Sequence, residues 1–576
     1  MNELAQFPLS FLDYAAFAAY FVVLCWIGYW VGRKEKVDSD DYFLAGRTLP
    51  WYVVGGSFIA SNISSEHFIG MIGSAFIYGI CVAAFEWTNV GSFSLLIWFF
   101  IPFLLVTRIF TIPEFLERRF HPFLRQFFAI VTVISNIVAF LAAVLYGGGL
   151  ALHKLFGWNL WFAIVVLGVV AGSWAIYGGL KSVAWTDFFT VIIMLVGGLM
   201  VTLLGLYMLS GDSHSLVDGF RVMLERNQAK GGVWKEAVLQ NARQMVHQDQ
   251  YNRLSVVQPI THRVVPWPSL IFGVFTLSIW YNVLNQFMIQ RVLGAKNMYH
   301  ARMGIVFAGF MKIFMPVIVV FPGLILFARF PEVLQMPWEQ VQPEADKGYV
   351  SMLQMLVPVG LRGLFLAALF GAIQSTVNSV LNSTATIFTL DIYKQWIRKN
   401  ATERHLVHMG MWSSVIILIL SIVLAGYVNR IEGSLFVYIQ TLYAFFAPPF
   451  SAIFILGILF RRINGPGAIA AVVFGFVFGI LIKIYVGIPG HPTWLEPFSN
   501  QSLVNWLFCL FICVSVSLAT ARPAPEQITD QLTINWRKLN LFEELGTAWY
   551  NHVVLWWLIF AVGVVGLMIV FSGLLF

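Results

Sequence analysis

Charge is what this 576-residue chain is short of: Asp, Glu, Lys and Arg make up 11% of it, and apolar residues 59%. Soluble domains run near ~25% charged and ~45–50% apolar. The deficit excludes a soluble enzyme, a nucleic-acid-binding domain and a disordered regulator. Cysteine is scarce too, four residues in all. Cys25, Cys81, Cys509 and Cys513 lie in apolar stretches, and the pair at 509 and 513 has no histidine or acid beside it. That pattern reads as packing, against both a disulfide framework and a metal site. Segment 1–10 has no basic residue ahead of the first apolar run, so it lacks the start of a cleaved signal peptide and is expected to be retained.

Long apolar runs are what the chain has instead, with a mean hydropathy of +0.78. They fall at 11–32, 51–79, 80–106, 127–152, 160–177, 183–209, 268–289, 303–327, 364–390, 409–428, 434–459, 468–486, 503–521 and 553–575. At ~20 residues per crossing that is about 14 transmembrane helices. The runs are continuous rather than alternating, which argues against a membrane β-barrel. The expected fold class is an all-α polytopic membrane protein.

A net charge of +7 does not imply a nucleic-acid partner, because the basic residues sit in short loops. One alternate set carries Arg33, Lys34, Lys36 and Arg47, then Arg108, Arg118, Arg119 and Arg125, and later Arg291, Lys296, Arg302, Arg461 and Arg462. The opposite short loops offer only Lys154, Arg329, Lys347 and Arg430. Basic loops stay in the cytoplasm, so both termini are expected outside a cell membrane. The pieces 210–266 and 522–550 are too small for a confident catalytic domain. Function is expected inside the bilayer, in a chain that is not an enzyme. Its expected partners are the lipid bilayer and a small molecule, with no nucleic acid and no obligate protein partner.

Polar groups at membrane depth cost at least ~2.5–3.5 kcal/mol each when charged, so each one poses a functional question. The densest run is Ser57-Phe-Ile-Ala-Ser-Asn-Ile-Ser-Ser-Glu-His67. Small and polar residues in that number make poor transmembrane helix and predict a break that bares backbone groups beside a cavity, against a continuous helix packed on its polar face. A second run, Gly371-Ala-Ile-Gln-Ser-Thr-Val-Asn-Ser-Val-Leu-Asn-Ser-Thr-Ala385, places neutral oxygens on one helix face. That stripe suits a desolvated alkali cation and equally suits interhelical hydrogen bonding. Glu86, Asp187, Lys312 and Gln440, with Tyr281, Asn282, Asn285 and Gln286, complete the set. Acids, a lysine, amides and aromatics in one bundle match a sugar, whose hydroxyls need hydrogen bonds and whose ring faces need apolar contact.

These residues resemble the solute:sodium symporter family, most closely its sodium/glucose cotransporter branch. The matching stretches are Ile59-Ala-Ser-Asn-Ile-Ser-Ser-Glu-His-Phe-Ile-Gly-Met71, Phe85-Glu-Trp87 and Thr111-Ile-Pro-Glu-Phe-Leu-Glu-Arg-Arg-Phe120. Others are Tyr177-Gly-Gly-Leu180, Trp185-Thr-Asp187, Gln290-Arg-Val-Leu-Gly-Ala-Lys296, Leu381-Asn-Ser-Thr-Ala-Thr-Ile-Phe-Thr-Leu-Asp-Ile-Tyr393 and Tyr438-Ile-Gln440. The resemblance implies a LeuT-like core of two inverted five-helix repeats, at 51–209 and 267–459. An extra helix and loop (1–50) would precede it, an outer loop (210–266) would join the repeats, and helices outside the core (460–576) would follow. It implies a sodium site on the carbonyls of Ala60, Ile63 and Ala372 and the hydroxyls of Ser375 and Thr376. Sugar contacts would fall on Asn62, His67, Glu86, Asn89, Ser278, Lys312 and Gln440. Tyr281 would gate the inner side, and Met71, Phe85 and Phe436 the outer side. Asp187 and Ser379 match part of a second sodium site carried by some members. Asn378 stands where a hydroxyl is usual there, which leaves one or two sodium ions per cycle. Asn282 also departs from the branch, where tryptophan commonly follows the gating tyrosine.

The expected activity is sodium-coupled symport of a sugar, a glucose- or galactose-like hexose first. A sugar acid, sialic acid or cyclitol is the alternative: Lys312 suits a carboxylate, while Glu86 favours a neutral ligand. A sensor would need a signalling domain, a channel a repeated filter sequence, and an enzyme a nucleophile or metal-ligand motif beside Glu66 and His67.

Overall fold

The computed structural model describes residues 9–33, 38–64, 66–245, 252–427, 435–535 and 541–574. Among them the only strand-like feature is a parallel bridge between Leu49 and Ala295. Eleven helices are long and apolar enough to cross a membrane, or twelve if Trp267–Gly273 and Phe275–Leu284, bent by 44°, form one span. Two of the 14 runs read from sequence account for the difference. The run at 51–79 is split, with only 12 residues in the helix Trp51–Asn62. The run at 160–177 appears as the shorter apolar helix Leu160–Ser173.

Lipid-facing surface is legible as exposed apolar side chains. Phe511, Val562 and Trp412 are each about two-thirds exposed, a fault in water and a fit to hydrocarbon. Polar groups turn inward and tie distant segments together. Thr111 Oγ1 and Arg125 Nε both donate to Asp391 Oδ1, at 3.0 and 2.7 Å. Gln290 Nε2 donates to the Phe43 carbonyl at 2.6 Å and to Asn382 Oδ1 at 3.2 Å.

Four helices position the site: α1 (Phe11–Gly32), α2 (Trp51–Asn62), α3 (Leu160–Leu209) and α4 (Arg362–Ile387). A glycine at φ +54°, Gly179, interrupts α3 with a turn that a side chain would strain. Helix α4 stays wound and is buried along nearly its whole length. It packs along both α3 and α1. Asp13 of α1 fixes that contact, its carboxylate accepting the backbone N–H groups of Gly360 and Gly363 at 3.1 and 3.0 Å. A Cβ at Gly363 would sit 1.9 Å from the Asp13 carbonyl oxygen, so only glycine allows the approach. Tyr20 Oη lies 3.1 Å from Thr190 Oγ1, and Ser182 Oγ donates to the Gly28 carbonyl at 2.9 Å, tying α1 to α3.

The run of small polar residues does break the helix. Helix α2 ends at Asn62, Ile63 is extended (φ −86°, ψ 121°), and helical structure resumes at Glu66. Ser64 restarts it, its hydroxyl accepting from Glu66 N at 3.2 Å and its carbonyl from His67 N at 3.1 Å, a short helix-capping arrangement. A second break falls at Asn285, extended (φ −72°, ψ 119°) between Trp280–Leu284 and Gln286–Leu293.

Candidate binding site at the broken helix

Where α2 breaks, α4 supplies the hydroxyls that face it. Thr376 Oγ1 donates to the freed Ile63 carbonyl at 3.0 Å. Ser375, one residue back, is buried and interacts with the Asp187 carboxylate, though its hydroxyl completes no hydrogen bond of good geometry. Ala60, Ile63, Ala372, Ser375 and Thr376, the five residues of the expected sodium site, are all at most 2% exposed. Carbonyl and hydroxyl oxygens are the donor set a hard alkali ion takes.

On the other side of the break lies a cavity of about 80 Å³. All seven expected sugar contacts line it: Asn62, His67, Glu86, Asn89, Ser278, Lys312 and Gln440, with Phe85 and Tyr281 of the expected gates. An ion pair dominates its electrostatics. Lys312 Nζ lies 2.6 Å from Glu86 Oε2 and donates to Asn62 Oδ1. His67 joins from the far side, with Nε2 3.4 Å from Glu86 Oε1 and Nδ1 accepting from Ser64 N. That bonding assigns the ring proton to Nε2. Asn89 reaches the cavity with its amide already committed. Its nitrogen donates to the Phe85 carbonyl at 2.7 Å, and its oxygen accepts from Asn282 Nδ2 at 2.6 Å.

Asp187 and Ser379, the residues of the possible second sodium site, lie apart from that cavity. Asp187 Oδ2 accepts from Ser57 Oγ at 2.7 Å and sits 3.4 Å from Arg291 Nη2. Arg291 also donates to Ser57 Oγ at 2.8 Å and to Ser379 Oγ. The acid there already has a cation of the protein's own.

Met71 is fully buried and is not among the residues lining the cavity. Phe436 lies, by its side chain, outside the described residues. The cavity also recruits residues the sequence reading did not assign as contacts: Glu66, Thr88, Ser269, Tyr443 and Ser499. Tyr443 packs against Tyr281, ring centroids 5.5 Å apart and planes tilted by 53°. Its spacing from Gln440, three residues along one helix face, was the available signal.

A helical membrane bundle with interrupted helices meeting at a polar cavity has the makeup of a secondary transporter. Residues 42–475 match the Sodium:solute symporter family, and the chain belongs to it. It is 34% identical over 548 residues to a sodium/glucose cotransporter of Vibrio parahaemolyticus, spanning 92% of this chain and 96% of the other. It is 31% identical over 566 residues to a Homo sapiens sodium/myo-inositol cotransporter, spanning 92% and 76%. Among solved structures, a Na+-coupled sialic acid symporter in a substrate-bound outward-open state aligns with a TM-score of 0.72. That alignment is 19% identical and covers 89% of this chain and 99% of the other, a likeness of fold. The protein is a sodium-coupled, multi-pass membrane transporter.

Proposed function

We propose that the chain carries a neutral polyol into the cell with sodium, a glucose- or galactose-like hexose first and a cyclitol second. The observation that carries this reading is the Lys312–Glu86 pair, 2.6 Å apart and inside the cavity. A carboxylate substrate needs an uncommitted cation, and Lys312 is already balanced by Glu86. The relatives that share about a third of the sequence are named for glucose and myo-inositol, both neutral polyols. These points argue against a sugar acid or sialic acid.

In this reading sodium enters from outside and bridges the Ala60 and Ile63 carbonyls to Ala372, Ser375 and Thr376. The bridge holds α2 against α4 and organises the adjoining sugar contacts at Asn62, His67, Glu86, Ser278, Lys312 and Gln440, with Asn89 shaping the wall. The membrane potential contributes ~2.3 kcal/mol per charge per 100 mV. Sodium and polyol raise each other's affinity by the same factor. Phe85 closes the outer side, Tyr281 the inner. The two repeats, 51–209 and 267–459, would rock about this site; a break in the opening helix of each, at Ile63 and Asn285, supports that division. The basic loops face the cytoplasm and both termini the outside.

Uptake into proteoliposomes, with and without an inward sodium gradient, tests the reading on glucose, galactose, myo-inositol and sialic acid. Sodium-dependent accumulation of a neutral polyol is expected, and Ser375→Ala or Thr376→Ala abolishes the sodium dependence. Accumulation of sialic acid alone overturns the neutral-substrate reading, and unchanged coupling in both variants removes the ion site.

A further inference from the structure

The cavity has a wall that the family core does not supply. The helix Phe498–Ala519 lies outside both expected repeats, yet Ser499 in its first turn lines the cavity with the proposed sugar contacts. Ser499 is buried, and its hydroxyl has no hydrogen-bond partner. Buried polar atoms are almost always paired, and an exception asks for a missing partner. Two other hydroxyls lining the same cavity are committed: Ser269 donates to the Pro266 carbonyl at 2.7 Å, and Thr88 to the Ala84 carbonyl at 2.6 Å. Beside Ser499, Phe498 stacks on Phe85, ring centroids 6.4 Å apart and planes within 17°. The helix begins after Pro497 with no side-chain cap, so its positive end favours an acceptor oxygen nearby. Asn500 fixes the helix start, donating to the Ile260 carbonyl at 3.0 Å.

We propose that Ser499 is a substrate contact, its hydroxyl donating to one hydroxyl oxygen of the bound polyol beside the Phe85–Phe498 stack. The proposal rests on the neutral-polyol reading above and extends the substrate site to a helix outside the repeats. It makes that helix part of the selectivity apparatus rather than a lipid-facing accessory.

The test is equilibrium binding to the purified full chain in sodium buffer. Glucose, galactose and myo-inositol are the probes, followed by the monodeoxy analogues of whichever binds. Ser499→Ala is expected to weaken binding roughly 3- to 10-fold, the range of one neutral hydrogen bond, and Ser499→Thr to retain it. One monodeoxy analogue should bind wild type more weakly yet lose nothing further in Ser499→Ala, a signature that loss of packing cannot produce. Sodium binding without polyol should be unchanged, which checks that the variant is folded. Equal losses across all analogues, or wild-type affinity in Ser499→Ala, overturn the proposal while leaving the functional reading intact. A wild-type protein that binds none of the three polyols overturns that reading and this proposal with it.

Discussion

Two buried ion pairs flank the broken helix, and they differ in what surrounds them. Lys312 and Glu86 share their neighbourhood with Asn62 and His67, and all four line the cavity. Arg291 and Asp187 are held by Ser57 and Ser379, each at most 1% exposed, and none of the four lines it. A pair on a cavity wall can exchange a partner for a ligand hydroxyl at little cost. A pair sealed among serines has no such exchange open to it, and its work is to hold α2, α3 and α4 in register. Charge compensation is common to both; access separates them.

The largest effects should come from splitting either pair. Glu86→Gln or Arg291→Met leaves one buried charge uncompensated, and each is expected to cost about 3–5 kcal/mol of stability, read as a lowered thermal midpoint in detergent. Removing both partners sharpens the contrast. Arg291→Met with Asp187→Asn should regain most of the stability and keep polyol affinity. Lys312→Met with Glu86→Gln should regain stability and lose polyol binding. Equal polyol binding in the two double variants would erase the distinction between the clusters. Next come single hydrogen-bonding groups. Gln440→Ala should weaken polyol binding roughly tenfold at unchanged stability, and Ser57→Ala should cost about 1–2 kcal/mol of stability at unchanged affinity. The smallest effect belongs to Asn282→Ala, which frees the Asn89 oxygen and should shift polyol affinity only a few-fold, measurable by competition binding.

The break in α2 was legible because its cause is local: four serines, an alanine, an asparagine, an acid and a histidine within residues 57–67 at membrane depth make poor continuous helix. Part of the cavity lining was legible through family resemblance: the seven expected sugar contacts, Phe85 and Tyr281 all line it. What escaped was long-range pairing. Arg291 and Asp187 are 104 positions apart, and nothing in the string says that a basic residue in a loop-like motif will turn inward to meet an acid. From sequence, stripe 371–385 suits interhelical hydrogen bonding and an ion site equally. Its hydroxyls make interhelical hydrogen bonds, Asn136 Nδ2 donating to Thr384 Oγ1 at 2.9 Å, and one of them, Thr376, reaches the freed carbonyl at the break. Ser499 escaped because no stretch that carries the resemblance lies beyond Gln440, although the polar turn Ser499-Asn-Gln-Ser502 opening an apolar span was a visible clue.

The grip of Asp13 on the N–H groups of Gly360 and Gly363 has a mechanical outcome. Helix α1 is riveted to the start of α4 and, through Tyr20 and Ser182, to α3 as well. The ties to α3 predict that α1 travels with it, so spin labels at the exposed Trp26 of α1 and the exposed Leu199 of α3 should keep a fixed separation through the whole cycle, and the swinging parts of the molecule can be mapped against that ruler.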